Sequence, residues 1–539
     1  MRKIRRALLS LSDRTDVVEL AKALHDHGCE LICTGGTGRT LEEASLPVTP
    51  VAEISGNPKA FGGRMKTISF QIESALLFDR ERDADEAERL GIVPIDMVVC
   101  NLYPFDRYRD DGADTETLVE HIDIGGPTMI RAAAKNFRYV AVVTQASDYG
   151  ELVKELCDNG GALSLATRRT LMRRAFNHTA DYDAMIAVTM DERAGACSLR
   201  LAFADGVPLR IGENAHQPAT LYRRRHVPTS LYDMEALAGK SPSFNNILDV
   251  QSALAAVKDL DRYGCAVIKH TNPCGLSESD DQRAAIEAAW EGDPVSAFGS
   301  VIAFNAPLSL EAARVLRLDD PDKTRRKFVE GIIAPRFEPG TVDYLRTHKS
   351  LRVLRFDPAA LAGDREIRVI DGACLVQGPD DRLYDTLDVV TEASPALTLD
   401  PPDPLIAFGI KAARQEKSNA IVVVRRLADG SHQLLGMGCG QPNRVVAARL
   451  ALDKAKENLA REYEGPEGRL SSYVSSVLGE AILVSDAFFP FPDTLELAAG
   501  EGIRTILQPG GSIRDDAVIE RANELGVAIV MTGVRHFRH

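Results

Sequence analysis

Short apolar runs alternate along the first part of the chain with stretches whose apolar residues recur every three to four positions. Ala7–Leu11 reads as a strand, Val17–His27 as a helix, Glu30–Cys33 as a strand and Gly38–Ala44 as a helix. Further on, Ile95–Cys100 and Val140–Val143 read as strands, with Pro127–Lys135 as a helix between them. Such alternation predicts a parallel sheet covered on both faces, an α/β domain. Asp148 to about Asp191 is helix-rich, and the pattern fades around Ala194–Gly206. We place the boundary there, with a first domain over 1–196 and a second over 200–539.

The second part restarts the alternation and runs through it twice. Lys269-His270 is followed by Ser296-Ala297-Phe298-Gly299, and Lys417-Ser418-Asn419 by Ser485-Asp486-Ala487-Phe488-Phe489, which predicts two similar subdomains. Pro401, Pro402 and Pro404 read as a connector, and Lys454–Arg469 as a surface helix or insertion.

Composition narrows the function classes. With 539 residues, two or three domains are expected. A formal net charge of −14 argues against a nucleic-acid surface, so an anionic ligand needs a local set of Arg, Lys and backbone N–H groups. No apolar run approaches the ~18 residues that span a bilayer. The basic start Met1–Arg6 is followed by too short an apolar stretch for a signal peptide, so the cytoplasm is expected. Nine scattered cysteines without a CxxC pair predict reduced thiols and no metal.

The most informative stretch is Lys269-His270-Thr271-Asn272-Pro273-Cys274-Gly275, after the apolar run Cys265–Ile268. Neighbouring residues on a strand face opposite ways, so Lys269 and His270 serve one reaction only if the strand ends and turns there. Pro273 and Gly275 are expected to make that turn. In the first domain, Ser10-Leu11-Ser12-Asp13-Arg14-Thr15 and Thr34-Gly35-Gly36-Thr37 follow strands, where a parallel sheet presents ligands. They fit phosphate as well as they fit tight turns. A Walker loop is excluded by Cys33 and Arg39, and no G-x-G-x-x-G is present. Gly63-Arg64-Met65-Lys66-Thr67, Asn101–Phe105 and Asp123–Thr128 complete the clusters.

Together these clusters resemble the IMP cyclohydrolase domain of the AICAR transformylase/IMP cyclohydrolase family. The resemblance runs on through Arg210–Gln217, Ser243–Asp249, Ser296–Gly299, Lys417–Ile421, Gly438–Gln441, Ser485–Phe491, Gln508–Asp515 and Thr532–Phe537. It implies a methylglyoxal synthase-like domain, then a transformylase domain of two cytidine deaminase-like subdomains. It implies that Ser12, Arg14, Thr34, Gly35, Gly36, Thr37, Arg64 and Thr67 hold the nucleotide, while Lys66, Tyr103, Asp123 and Lys135 line the reacting base. In the second domain it implies His270 as base and Lys269 as electrostatic partner. Arg210, Asn246, Asn419, Gln441, Arg444, Phe488, Asp493 and Arg535 are implied to bind substrate. Arg514 and Lys417 read as structural. AICAR, formyl-AICAR, IMP and 10-formyltetrahydrofolate are the implied ligands, and a homodimer the implied assembly.

Two departures stand out. Where the family carries a His-Pro and a His-Gly-Gly segment, this chain reads Ile68-Ser69-Phe70-Gln71-Ile72-Glu73-Ser74-Ala75, and Ile211 and Ala215 replace a tyrosine and a proline. The alternative readings are a transformylase with a degenerate cyclohydrolase domain, and a nucleotide-binding regulator without catalysis. A zinc deaminase is excluded, since Ser277 stands where its second cysteine belongs and no H-x-E precedes.

Overall fold

Arg6–Ser10 (β1) carries three fully enclosed residues, Ala7, Leu8 and Leu9, and such a strand needs cover on both faces. It is the centre of a five-stranded, all-parallel sheet in the order β3-β2-β1-β4-β5, built with Glu30–Cys33 (β2), Thr49–Pro50 (β3), Met97–Cys100 (β4) and Ala141–Val143 (β5). The computed structural model describes residues 1–57, 65–225, 227, 229–361, 363 and 365–539. They form two compact units, Met1–Ala202 and Phe203–His539.

In the first unit Val17–Asp26 (α1) buries Val17, Leu20, Ala21 and Leu24, a single stripe at helical spacing. Gly35–Glu43 (α2), Phe70–Leu77 (α3), Gly125–Lys135 (α4) and Leu165–Arg193 (α5) follow. Two helices begin earlier than their apolar periodicity indicates. Gly35-Gly36 and Gly125-Gly126 form the first turns of α2 and α4 rather than the loops before them. Ile68–Ala75 is mostly helix: Ser69 caps α3 by accepting from Ile72 N at 3.2 Å, and Ile72, Ala75 and Leu76 are buried. Ser69→Ala is expected to cost about 1 kcal/mol, the usual value of an N-cap, read from urea denaturation of the full chain.

The second unit is organised by one twelve-stranded sheet. Its strands are Glu235–Ala238 (β6), Tyr263–Lys269 (β7), Asn272–Ser279 (β8), Ser300–Phe304 (β9), Val329–Ala334 (β10), Arg352–Arg355 (β11), Asp388–Val389 (β12), Ile421–Arg426 (β13), His432–Gly438 (β14), Ile482–Ser485 (β15), Thr505–Gln508 (β16) and Ala528–Met531 (β17). Their order is β6-β11-β10-β9-β7-β8-β14-β13-β15-β16-β17-β12. Read outward from the middle, each half is a hairpin, an antiparallel neighbour, two parallel strands and an antiparallel edge. This repeat is the paired-subdomain arrangement the two similar sequence segments predict. The halves join where β8 runs antiparallel to β14, with Ser277 opposite Gln433 and Glu278 opposite His432.

Period-two alternation assigns the cores. Ala266 and Ile268 pack on one face with Phe244–Lys258 (α6) and Pro404–Gln415 (α8), in a core shared by both halves. Cys265 and Val267 face the other way, toward Gln282–Glu291 (α7). Ile421 and Val423 do the same toward Arg444–Glu462 (α9). Two expectations are corrected. Pro404 is not linker but the first residue of α8, behind the cap Asp403. The stretch from Lys454 to Glu462 is the end of α9, whose Ala455 and Leu459 are buried, so it is core rather than insertion.

Candidate active sites

The chain order of the first sheet reverses between β1 and β4, and an open α/β sheet places its ligand crevice there. Asn101, after β4, clamps the loop after β1: its Oδ1 accepts from Ser12 N at 2.7 Å, and its Nδ2 donates to Asp13 O at 2.6 Å. Thr34, after β2, donates through its hydroxyl to Ser10 Oγ at 3.3 Å. The exposed Arg14 lays its guanidinium over Gly36, where any Cβ would collide with it. A cation thus stands beside the amides of the first turn of α2, an arrangement that suits an anion. Ser12, Arg14, Thr34, Gly35 and Gly36 come together as the sequence predicts. Thr37 does not face a ligand. It is fully buried and its hydroxyl accepts from Leu11 N at 3.0 Å, bracing the loop from behind.

A second cluster borders the same crevice, since Tyr103 lies two residues beyond Asn101. Asp123 accepts from Gly126 N at 2.8 Å, and its own N–H donates to Tyr182 Oη at 2.9 Å. Burial pushes its carboxyl above the ordinary range, against the N–H groups of Gly126 and Tyr103. The Tyr103 phenol is raised as well, by burial and then by the Asp123 carboxylate. The buried Thr67 sets its hydroxyl against Gly125, so the 65–67 segment abuts the start of α4 and carries the exposed Lys66 with it. Arg64 lies outside the described residues. Lys135 is separated from this group. It ends α4, roughly 15 Å of helical rise from Gly125. There it lines a cavity of about 680 Å³ with Glu73, Thr128, Arg131 and Phe176.

In the second unit β7 and β8 form a hairpin, and its turn is not made by Pro273 and Gly275. His270 and Thr271 make it, at φ 51° and 67°, between the paired Lys269 and Asn272. Positive φ at both central positions is the two-residue turn that matches strand twist. Pro273 and Gly275 lie within β8, where a Cβ on Gly275 would strike the Ala289 carbonyl of α7. Lys269 donates through Nζ to the carbonyls of Phe298 at 2.8 Å and Gly299 at 3.2 Å. Asp249 accepts from Thr271 N at 2.8 Å, and burial holds its carboxyl up despite that bond and the nearby His270 and Lys269. Lys269 and His270 therefore turn together toward one end of the sheet.

The antiparallel register brings the second half to the same end, because β14 runs toward it as β8 runs away. Asn419 Nδ2 donates to Gln441 O at 2.8 Å, and Gln441 Nε2 to Cys439 O at 3.1 Å. Arg444 donates to Asn419 Oδ1 at 2.7 Å, Asp486 Oδ1 at 2.9 Å and Phe488 O at 3.1 Å. Those bonds tie three loops together through Arg444, and its buried Nε has no protein partner among the described residues. Asn246 is spent: its Oδ1 accepts from Ser243 in the cap of α6, and its Nδ2 donates to Glu330. Arg210 and Arg535 are exposed, the latter with its guanidinium 4.4 Å from the Phe537 ring centre. Asp493 begins a separate helix and accepts from Thr494 N at 2.8 Å. Among the described residues no cluster of His, Cys, Asp or Glu is arranged to hold a metal ion, and no helix is long and apolar enough to cross a membrane.

Sequence reasoning missed Asn101, Asp249 and Asp486. Each stands within a motif singled out above, but nothing in linear order shows that Asn101 bridges two strands, or that Asp249 and Asp486 each fix a loop from another element.

Residues 16–128 match the family model described as MGS-like domain, and residues 133–454 match that described as AICARFT/IMPCHase bienzyme. The chain is similar to the bifunctional purine biosynthesis protein PurH of Persephonella marina, 40% identical over 549 residues that cover 99% of this chain and 100% of the relative. It is equally similar to PurH of Bartonella bacilliformis, 40% identical over 554 residues covering 100% and 98%. A solved structure titled "Crystal structure of ForH" is 32% identical over 35% of this chain and 99% of its own, with a TM-score of 0.31, too low to bear on the fold. The two family models, which between them match both units, and likeness over the full length agree: the chain belongs to the AICARFT/IMPCHase bienzyme family.

Proposed function

We propose that the two clusters are the two active sites of one enzyme of purine biosynthesis. The chain is bifunctional: it formylates AICAR and then closes formyl-AICAR to IMP with loss of water. The formyl donor is 10-formyltetrahydrofolate, and the protein works as a homodimer in the cytoplasm. The observation that carries the reading is the convergence of Lys269, His270, Asn419 and Gln441 on one end of the twelve-stranded sheet.

The AICAR amine is a weak nucleophile because its lone pair is drawn toward the carboxamide. His270 takes the proton as the amine attacks the formyl carbon. Lys269, steered by the Phe298 and Gly299 carbonyls, stabilises the oxygen of the tetrahedral intermediate or protonates the departing folate nitrogen. Asn419 and Gln441 orient the carboxamide. In the first unit Ser12, Arg14, Thr34 and the α2 amides hold the phosphate. Lys66 stabilises the formyl oxygen, and Asp123 with Tyr103 moves the protons. Burial of Asp123 suits that work, since it brings a carboxyl closer to neutral pH.

One wild-type reaction tests both halves. AICAR and 10-formyltetrahydrofolate are expected to give IMP; formyl-AICAR accumulating, with IMP only at the uncatalysed rate, would leave a transformylase alone. Replacement of the histidine-bearing segment by α3 makes this the decisive measurement. Gly36→Ala displaces the Arg14 guanidinium. It is expected to raise KM for formyl-AICAR about tenfold with little change in kcat, the signature of lost uniform binding.

A further inference from the structure

Glu416 directly follows α8, and its side chain is fully buried. Neither carboxylate oxygen meets an N–H or O–H donor at hydrogen-bonding geometry. A charge placed there would have neither water nor N–H groups to replace it, so the group is held neutral. The Cys439 thiol faces it. The Arg538 guanidinium acts on it from nearby but is bonded to Gln415, with Oε1 at 3.1 Å. The remaining charged or titratable neighbours are Lys417, which acts on Cys439, Cys274 of β8, and Glu366 and Arg368, which act on Arg538.

This carboxyl sits at a joint. Gly440 N donates to Lys417 O at 2.6 Å, Asn419 N to Gln441 O at 3.1 Å, and Ser418 N to Arg538 O at 2.9 Å. Those bonds present Asn419 and Gln441.

We propose that Glu416, as a neutral carboxylic acid set against Cys439, is a positioning residue of the formyl-transfer site that keeps the 416–419 and 438–441 turns together, and that its ionisation releases them and turns formyl transfer off at alkaline pH. The proposal rests on the reading that Asn419 and Gln441 serve formyl transfer. Burial, opposed by Cys439 and Arg538, raises the group from its ordinary 4.5 to about 8. The native state thus holds the proton where the unfolded chain has lost it. The stabilisation is complete below the ordinary value, is lost as pH rises toward 8, and is level above it.

The test is formyl transfer by the full chain across alkaline pH, with cyclisation of supplied formyl-AICAR as the internal control. Wild-type kcat/KM should fall roughly tenfold per pH unit above about 8 while cyclisation keeps its own profile. Glu416→Gln should stay close to wild type near neutrality and lose that fall. Cys439→Ser offers a stronger donor to the carboxylate and should move the fall to lower pH. An unchanged alkaline fall in Glu416→Gln, or a folded variant already inactive near neutrality, overturns the proposal. If Glu416→Gln does not fold, an unmoved profile in Cys439→Ser overturns it alone. Unimpaired formyl transfer in Asn419→Ala would overturn it through its premise, with the pH behaviour of the other variants still in place.

Discussion

His270→Ala is expected to lower formyl transfer to AICAR by about 10²- to 10⁴-fold and to leave cyclisation of supplied formyl-AICAR near the wild-type rate. The magnitude is that of a positioned base, and the selectivity follows from the two clusters lying in different units. His270 sits in the left-handed region at φ 51°, next to Thr271 at 67°, and Asp249 pins that turn through Thr271 N. Side chains other than glycine adopt this conformation at a cost, and such strain gathers at functional sites. The turn itself must therefore be separated from the imidazole. His270→Asn does so, because asparagine tolerates positive φ but supplies no comparable base. Both variants should lose formyl transfer alike. Recovery in His270→Asn would give the residue a role in the turn alone, and near-normal transfer in His270→Ala would remove it from the mechanism.

Lys66→Ala is expected to lower cyclisation by about 10²- to 10³-fold, as loss of an oxyanion donor does, while formyl transfer is unchanged. Thr67 fixes the segment against Gly125, the start of the helix whose Gly126 N–H binds Asp123, so Lys66 adjoins a segment anchored at the cluster proposed to move the protons. Lys135, the other candidate cation, ends α4 and lines a cavity that reaches back to Pro127 and Thr128 in the first turn of the helix. The measurement is the rate of IMP formation from formyl-AICAR. A loss smaller than about tenfold would place the formyl oxygen elsewhere.

Much of this was legible in linear order because it depends on local periodicity. Ala7–Leu11 and Cys265–Ile268 are runs that only a strand covered on both faces can bury, and both are such strands. The doubled pattern of the second part became a doubled half-sheet. Turn chemistry was less legible. Proline and glycine signal a turn by propensity, yet at Lys269–Gly275 the turn fell on His270-Thr271. Two competing demands decided it: α7 packs so closely on β8 that only glycine fits at 275, and the hairpin needs positive φ two residues earlier than the proline.

The amino-acid sequence by itself determined the α/β class, the strands and helices with strong periodicity, and the motifs in which the chemistry resides, since each depends on residues close together along the chain. Tertiary structure alone decided which side chains remain for a substrate. Asn246 and Thr37 carry suitable groups, but Glu330 and Leu11 occupy them, and those partners come from other elements. Lys135 and Asp123 are twelve positions apart in the sequence, but a rigid helix holds them apart in space. Burial of Asp123, Asp249 and Glu416 likewise depends on what packs over them, and it is that burial which moves their protons toward the working pH.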